Sequence, residues 1–268
     1  NQYHQYYCVD DSLGLPDNNI TDIYRDSHNR LWVATVNGVC LYQTNGNFKR
    51  VSINSANKNI EKILEDKEGR IFFFTMTDLY QYDEKNNRAI TRLSKIVKKN
   101  CYNFSCHIDR KDVMWIVTSY SVKGYRTQDL KLIAQNPVQS YPIASFLLDG
   151  HQLYISGYNG IQLFDTDTRK WQHLPAALQG LQIPNDMVSG IHPYGEKGNL
   201  LLSTTKHGLL YFNAQEGTIL PQSDKNFPFE VPDMQVNKMF TDSKGNLWLG
   251  SEDDGVKTIY RYKDMFNS

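Results

Sequence analysis

The segment "DSHNRLWVAT" (Asp26–Thr35) has a close copy near the other end of the chain, "DSKGNLWLGS" (Asp242–Ser251). Both segments contain an Asp, a short turn, a Leu-Trp pair and a last residue that carries a hydroxyl. A sequence that repeats itself in this way is typical of proteins built from stacked structural units. We therefore searched the chain between the two segments for further copies.

Aligning the chain on this motif yields six copies, with cores at about 20–43, 60–83, 103–127, 143–166, 188–214 and 236–262. Their spacing of roughly 40 to 47 residues is the length of one four-stranded propeller blade. One position in each copy is aromatic or Leu: Trp32, Phe72, Trp115, Tyr154, Leu201 and Trp248. We expect these large side chains to pack between blades.

Each copy is predicted to form strands joined by tight turns. In four copies a residue that tolerates positive φ follows three positions after the Asp: Asn29, Gly69, Asp112 and Gly245. The next strand is an apolar run such as "IFFF", which indicates an inner strand covered on both faces. A second turn, predicted to be type I′, follows at Asn37-Gly38, Asn159-Gly160, His207-Gly208 and Asp254-Gly255.

These patterns predict an all-β chain, a single β-propeller domain spanning residues 1–268 with four-stranded antiparallel blades. We count six units, and a seven-bladed propeller stays an alternative. The N-terminal stretch "YHQYYCV" (Tyr3–Val9) resembles a fourth strand with nothing before it. We expect it to complete the last blade beside "KTIYRYK" (residues 257–263) and so to close the ring.

Composition excludes several functions. The 29 basic and 29 acidic side chains cancel, so the charge favours neither nucleic acid nor an anionic membrane as a partner. The chain has no apolar run of about 18 residues, and we expect no membrane insertion by it. Its first residues have neither a basic start nor an apolar core, so we expect no export signal there.

The unit at residues 14–42 resembles the two-component regulator propeller repeat. The residues that carry the resemblance are Gly14-Leu15-Pro16, Asn18-Asn19-Ile20, Asp26, Leu31-Trp32, Thr35, Asn37-Gly38 and Tyr42. The resemblance implies the periplasmic sensor region of a hybrid two-component system histidine kinase, anchored in the inner membrane and responding to carbohydrate. It also implies the remaining receptor domains, and a second copy in a homodimer, as partners.

Other residue types that could carry chemistry are better explained by structure. Cys106 and His107, with Cys101, could suggest a metal site, but Cys106 occupies the position that Ile63 has in the second copy. We therefore expect a buried free thiol, no metal and no cofactor. The pairing of Cys8, Cys40 and Cys101 stays open. We expect the repeated Asp to accept hydrogen bonds from turn amides, at Asp26, Asp66, Asp109, Asp149 and Asp242.

The ligand site is predicted by subtraction, because turns and packing account for the repeated positions. The turns between second and third strands line one mouth of a propeller, and loops on a rigid scaffold commonly carry function. Their additional side chains are the candidate ligand-binding residues: Tyr120, Tyr158, Lys206, His207, Glu252 and Asp253. Surface tyrosines suit an oligosaccharide, since each offers an apolar face and a hydroxyl. A solvated loop rim is the alternative for each of them.

The leading functional interpretation is a ligand-sensing or interaction module without catalytic residues. A propeller glycosidase or lyase is the first alternative, and it requires paired carboxylates or arginines that grip a substrate. No Arg occurs in the six turns between second and third strands. The second alternative is a spacer or dimerisation module that binds no ligand.

Overall fold

The computed structural model describes residues 14–96, 104–138, 142–157, 160–179, 181, 186–232 and 234–260. The chain divides into two compact units. Unit 1 comprises Asn1–Thr118 and Val122–Asn136, and unit 2 comprises Ser119–Ser121 and Pro137–Ser268. The predicted strand that would close the ring, Tyr3–Val9, lies outside the described residues.

The predicted all-β architecture of six antiparallel blades is confirmed, and each described blade is a meander of neighbouring strands. Unit 1 contains most of blades 1 to 3. Blade 1 consists of β1 (Ile20–Arg25), β2 (Leu31–Thr35), β3 (Gly38–Tyr42) and β4 (Phe48–Arg50), and is followed by β5 (Ser52–Ile53). Blade 2 consists of β6 (Lys62–Glu65), β7 (Ile71–Phe74), β8 (Leu79–Asp83) and β9 (Arg88–Leu93). Blade 3 consists of β10 (Phe104–Ile108), β11 (Val113–Thr118), β12 (Ser121–Arg126) and β13 (Leu132–Pro137).

Unit 2 contains blades 4 to 6. Blade 4 consists of β14 (Pro142–Leu148), β15 (Gln152–Gly157), β16 (Gly160–Asp165) and β17 (Lys170–Gln172), and is followed by the short helix α1 (Ala176–Gln179). Blade 5 consists of β18 (Val188–Pro193), β19 (Leu200–Thr204), β20 (Leu209–Asn213) and β21 (Thr218–Pro221). Blade 6 has three strands within the described residues: β22 (Lys238–Thr241), β23 (Leu247–Gly250) and β24 (Val256–Ile259).

Register places equivalent residues of the repeats in equivalent positions. Trp32 of β2 lies opposite Tyr24 of β1 and Leu41 of β3. Trp115 of β11 lies opposite His107 and Gly124. Among the described strands, β5 departs from a simple meander, because it pairs in parallel with β9 of the next blade and extends that sheet to five strands. The sheet register therefore follows the alignment that the sequence predicted.

The cores lie between successive blades of each unit. Trp32 is fully buried and meets Phe73 and Tyr82 of blade 2, with ring centroids 5.6 Å and 4.9 Å away. All of β7 and β11 is buried, as predicted for inner strands covered on both faces. Cys106 is buried and free, so the predicted core thiol is confirmed. Burial raises the pKa of the Cys106 thiol well above its usual value.

The predicted packing of the tryptophans is wrong at one position. Trp248 is 40% exposed, although its counterparts Trp32 and Trp115 are fully buried. Phe240 and Val256 of the same blade are also exposed. Within unit 2, the described side chains therefore leave this face of blade 6 uncovered.

The first turns match the prediction, but the second turns are not type I′. Asn29, Gly69, Asp112 and Gly245 all have positive φ. In the second turns the glycine has positive φ but the residue before it does not, at Asn37, His207 and Asp254. Asn159 lies outside the described residues. The last residue of the second strand explains the difference. The Thr35 hydroxyl donates to the carbonyl of Gly38 (3.0 Å) and accepts from the amide of Asn37 (3.2 Å), so it closes the turn.

The repeated Asp caps the first turn, as predicted, and it also binds the tryptophan. Asp26 Oδ1 accepts from the amides of His28 (3.0 Å) and Arg30 (2.8 Å). Asp26 Oδ2 accepts from the indole N–H of Trp32 at 2.8 Å. The same indole bond recurs from Trp115 to Asp109 (2.7 Å) and from Trp248 to Asp242 (3.0 Å). The carboxylate thereby ties each turn to the interior of its blade.

Asp149 does not have this role, so its predicted capping function is wrong. Only three residues separate β14 from β15, and Asp149 and Gly150 both have positive φ (51° and 67°). This turn is too short for the carboxylate to accept from amides two and four positions later. Asp149 instead occupies a left-handed position within the turn itself, which Asp tolerates better than most residues.

Gly124 is required by the ring of Trp115. A Cβ at Gly124 would lie 2.9 Å from Cη2 and Cζ3 of that buried ring, a distance that side chains do not tolerate. We expect Gly124→Ala to lower the free energy of unfolding by about 2 kcal/mol, because the ring has to move within a packed core. Urea unfolding followed by fluorescence measures this. In the control Gly250→Ala the new Cβ meets nothing nearer than 3.7 Å, and an equal loss there would contradict the explanation.

Candidate functional site

The predicted ligand-binding residues lie on turns that belong to unit 2. Tyr120 lies between β11 and β12, Lys206 and His207 between β19 and β20, and Glu252 and Asp253 between β23 and β24. Tyr158 lies outside the described residues. Lys206 and His207 share one turn, Glu252 and Asp253 share another, and Tyr120 lies on a third.

Asp186 holds the turn that carries Lys206 and His207. Its carboxylate accepts hydrogen bonds from the amides of Thr205 (2.9 Å), Lys206 (3.1 Å) and His207 (3.0 Å). It also accepts from the amide of Met187 (2.7 Å) and from the Thr205 hydroxyl. His207 Nδ1 lies 2.5 Å from Asp186 Oδ2. One carboxylate therefore fixes the backbone and two side chains of this turn.

The surroundings of Asp186 keep it ionised. Its side chain is fully buried, and burial by itself raises the pKa of a carboxyl group. The hydrogen bonds from Thr205, His207 and Met187 outweigh burial and hold the pKa of Asp186 well below its usual range. Asp186 is therefore a buried negative charge whose hydrogen bonds, apart from the one from Met187, all hold the turn.

His207 and Lys206 present their side chains from this fixed turn. The His207 side chain is 56% exposed although its Nδ1 faces Asp186, and Lys206 is also exposed. The Thr204 hydroxyl accepts from the amide of His207 (2.9 Å). Gln235, from the connection to blade 6, donates to the carbonyl of Thr205 (2.9 Å). The turn is thus supported from both neighbouring connections.

Different contacts hold the turns that carry Tyr120 and the Glu252–Asp253 pair. The Ser251 hydroxyl accepts from the amides of Asp253 (3.4 Å) and Asp254 (3.2 Å), and Asn237 Oδ1 accepts from the amide of Glu252 (3.2 Å). Tyr120 is 54% exposed, and its carbonyl accepts from the amide of Val138 (3.3 Å). The side chains of Tyr120, Glu252 and Asp253 are all exposed on these turns.

The sequence analysis did not identify Asp186 as a functional residue. It lies outside the repeated motif, in the connection that precedes β18. A signal is present nonetheless, since Asn237 lies just before β22 and its side chain accepts from the amide of Glu252 in the second turn of blade 6. A polar residue just before the first strand is the pattern that would have pointed to it.

The described residues include no group of three or more His, Cys, Asp or Glu side chains able to hold a metal ion. The close pairing of His207 with Asp186 resembles acid–base machinery. A carboxylate that fixes one ring nitrogen of a His orients the other for hydrogen bonding or proton transfer. This geometry supports ligand binding without chemistry and is also compatible with a general base.

Comparison with solved structures shows the propeller fold. The extracellular domain of the hybrid two component system BT4673 from B. thetaiotaomicron aligns with a TM-score of 0.70 and 16% identity, covering 94% of this chain and 35% of that one. Virginiamycin B lyase from Staphylococcus aureus aligns with a TM-score of 0.67 and 14% identity, and the alignment covers 90% of this chain and 80% of the lyase. The extracellular domain of BT3049, also from B. thetaiotaomicron, aligns with a TM-score of 0.53 and 14% identity, and the alignment covers 90% of this chain and 40% of that domain. The chain therefore spans about a third of the BT4673 domain.

Comparison with protein families agrees with the resemblance seen in the sequence. Residues 14–37 and 230–253 match the two component regulator propeller family. A search of curated proteins finds no similar sequence. The two matched segments include the first turns of blades 1 and 6, where Asp26 and Asp242 bind their tryptophans. The recognition made from sequence is thus confirmed: this chain carries two-component regulator propeller repeats on a propeller fold.

Proposed function

We propose that the chain is an extracytoplasmic ligand-sensing propeller of a hybrid two-component sensor and that it binds carbohydrate. The family match and the likeness to extracellular domains of such systems support a sensor role. The lengths of those domains indicate that the chain acts together with further domains of the same receptor. A periplasmic location and a homodimeric receptor are parts of this proposal. No helix among the described residues is long and apolar enough to cross a membrane.

The observation that carries the proposal is the turn at Lys206 and His207. Binding sites work best when their residues are held in place before the ligand arrives. Asp186 provides this by fixing three amides and the His207 ring from a fully buried position. Lys206, His207 and the exposed Tyr120 offer donors, an imidazole and an aromatic face, which suit a hydroxylated ligand. Glu252 and Asp253 would add acceptors.

Titration calorimetry with a panel of oligosaccharides tests this proposal. We expect at least one to bind, with an affinity that Lys206→Ala and His207→Ala each lower about tenfold, roughly the loss of one hydrogen bond to a charged group. The double change Tyr120→Ala with Tyr158→Ala should abolish binding. As matched controls, Lys85→Ala and His151→Ala remove the same residue types from other turns. Affinity that is unchanged in every variant of the Lys206–His207 turn would contradict the proposed site.

A lyase is a second candidate, which the pairing of Asp186 with His207 favours. If His207 is a general base, the chain should degrade a substrate, and His207→Ala should remove that activity while leaving substrate binding intact. Product analysis by mass spectrometry after incubation with the oligosaccharide that binds distinguishes the two functions. Recovery of intact ligand after prolonged incubation would exclude catalysis on it.

A further inference from the structure

Unit 2 contains a second concave site at the other ends of its strands. A cavity of about 450 Å³ lies among the first turns of blades 4, 5 and 6, near Asp149, Gly195 and Gly245. Asp186 and His207 lie beside the start of β18 and the end of β19, whereas the cavity contacts Pro193 and Leu200 at the opposite ends. Six residues of β18 span roughly 17 Å, so the two sites are separate. The volume is within the range of small-molecule pockets.

Three tyrosines provide the aromatic part of the lining. Tyr154 is buried in the core between blades 4 and 5. The ring of Tyr194 packs edge-on against Phe229 at 5.3 Å, which holds it in place. Tyr260 is 68% exposed and adds an accessible ring. Aromatic walls with few polar groups between them are typical of sites that bind a ring-shaped ligand.

His192 provides the polar centre of the cavity. Its Nε2 lies 2.7 Å from the Thr241 hydroxyl, which links blades 5 and 6. Burial lowers the pKa of His192, so the imidazole is neutral at neutral pH. Its Nδ1 has no hydrogen-bond partner among the described residues, and a neutral ring with one nitrogen unused can bond to a hydroxyl. Gln152 also lines the cavity and offers an amide.

The charges around the cavity disfavour anions. Asp149 and Glu196 contribute two carboxylates, and Lys197 contributes one ammonium group. The pKa of Tyr154 in the cavity wall is raised by burial and, to a smaller extent, by the negative charge of Asp149. The Asp149 charge is therefore felt within the cavity. A ligand that carries a carboxylate would meet like charge here, whereas hydroxyl groups could donate to these acceptors.

We propose that this cavity is a second ligand site, which binds a neutral, hydroxyl-rich small molecule of one or two rings and rejects its carboxylated counterpart. Sugar rings meet this description, because one face carries C–H groups and the edges carry hydroxyls. The inference goes beyond the proposed function, since it gives the propeller a site apart from the turn at Lys206 and His207. The two sites are tested by different variants.

Ligand-observed NMR tests the proposal with the methyl glycosides of glucose, galactose, mannose and xylose, alongside glucuronate and galacturonate. We expect at least one neutral glycoside to bind, and its matched uronate to bind at least tenfold more weakly. Tyr260→Ala and His192→Ala should each weaken the neutral glycoside at least tenfold. Asp149→Asn with Glu196→Gln should reduce the discrimination against the uronate to less than threefold. Circular dichroism checks that each variant is folded.

His207→Ala serves as the control, because it alters the other site and should leave this binding unchanged. Three results would overturn the proposal: no binding by any neutral glycoside, binding that neither Tyr260→Ala nor His192→Ala weakens, or a uronate that binds as tightly as its neutral partner. Loss of binding in His207→Ala alone would place the glycoside at the turn of blade 5 and would also overturn it. If Tyr260→Ala and His192→Ala leave binding unchanged, only the cavity proposal is overturned. The proposed function is tested separately, by the oligosaccharide titration of the Lys206 and His207 variants.

Discussion

Asp26→Ala is expected to lower the free energy of unfolding by about 3 kcal/mol, because one buried carboxylate accepts four hydrogen bonds. Besides the amides of His28 and Arg30 and the indole of Trp32, Asp26 Oδ2 binds Arg30 Nε at 2.6 Å. Removing the carboxylate leaves the Trp32 N–H buried without a partner, since that ring is fully enclosed. Chemical unfolding monitored by tryptophan fluorescence measures the loss.

Asp242→Ala is the matched control for this prediction. Asp242 caps the same turn of the repeat and accepts from the amides of Lys244 and Asn246, the Asn246 side chain and the indole of Trp248. Trp248 is partly exposed, so water can replace the lost acceptor and the effect should be clearly smaller. If both variants lost the same stability, burial of the indole N–H would not be the cause.

Asp186→Ala is expected to have the second large effect, a loss of about 3 kcal/mol together with loss of the ordered turn at Thr205–His207. Every donor that now meets the carboxylate would have to find water or another partner. Urea unfolding gives the stability, and amide hydrogen exchange of Thr205, Lys206 and His207 reports the turn. In the control Asp224→Ala, the carboxylate caps one amide, that of Asn226 (2.8 Å), and the loss should be small.

Lowering the pH should destabilise the protein in the same way as Asp186→Ala. The pKa of Asp186 is lower in the folded chain than in the unfolded chain, so the folded state favours the carboxylate. Its stabilisation is complete above the ordinary Asp pKa of about 4 and is lost as pH falls below that value. Wild-type stability should therefore fall more steeply below pH 4 than that of Asp186→Ala. If the free energy of unfolding fell equally with pH in the wild type and in Asp186→Ala, protonation of Asp186 would not be the cause.

Local patterns were sufficient to predict much of this fold. The Asp-turn-Trp motif identified six repeat units, and the first-turn residues expected to have positive φ, Asn29, Gly69, Asp112 and Gly245, all do. Such features depend on a few neighbouring residues and are therefore visible in a short window of sequence. The second turns were assigned the wrong geometry because the hydroxyl of Thr35, two positions before Asn37, satisfies the turn amide in place of a type I′ conformation.

The candidate site could be predicted only in part. The variable turns identified Lys206 and His207, but the residue that orders them, Asp186, is about twenty positions away and carries no motif of its own. Its role arises because the connection before β18 lies beside the turn after β19, which is a consequence of strand pairing. A hydrogen bond across such a separation leaves no periodic trace in the sequence.

By itself, the sequence determined the all-β repeat architecture, the positions of most turns and the family of the repeat, because each depends on residues close together in the chain, whereas the structure decided between six blades and seven. Only the tertiary structure decided that Trp248 is exposed while Trp32 is enclosed, that Gly124 must lack a side chain beside Trp115, and that a cavity forms among three blades of unit 2. These properties depend on which side chains of different strands and blades come together. Packing decides which side chains meet, and blades that share the same sequence motif do not pack identically.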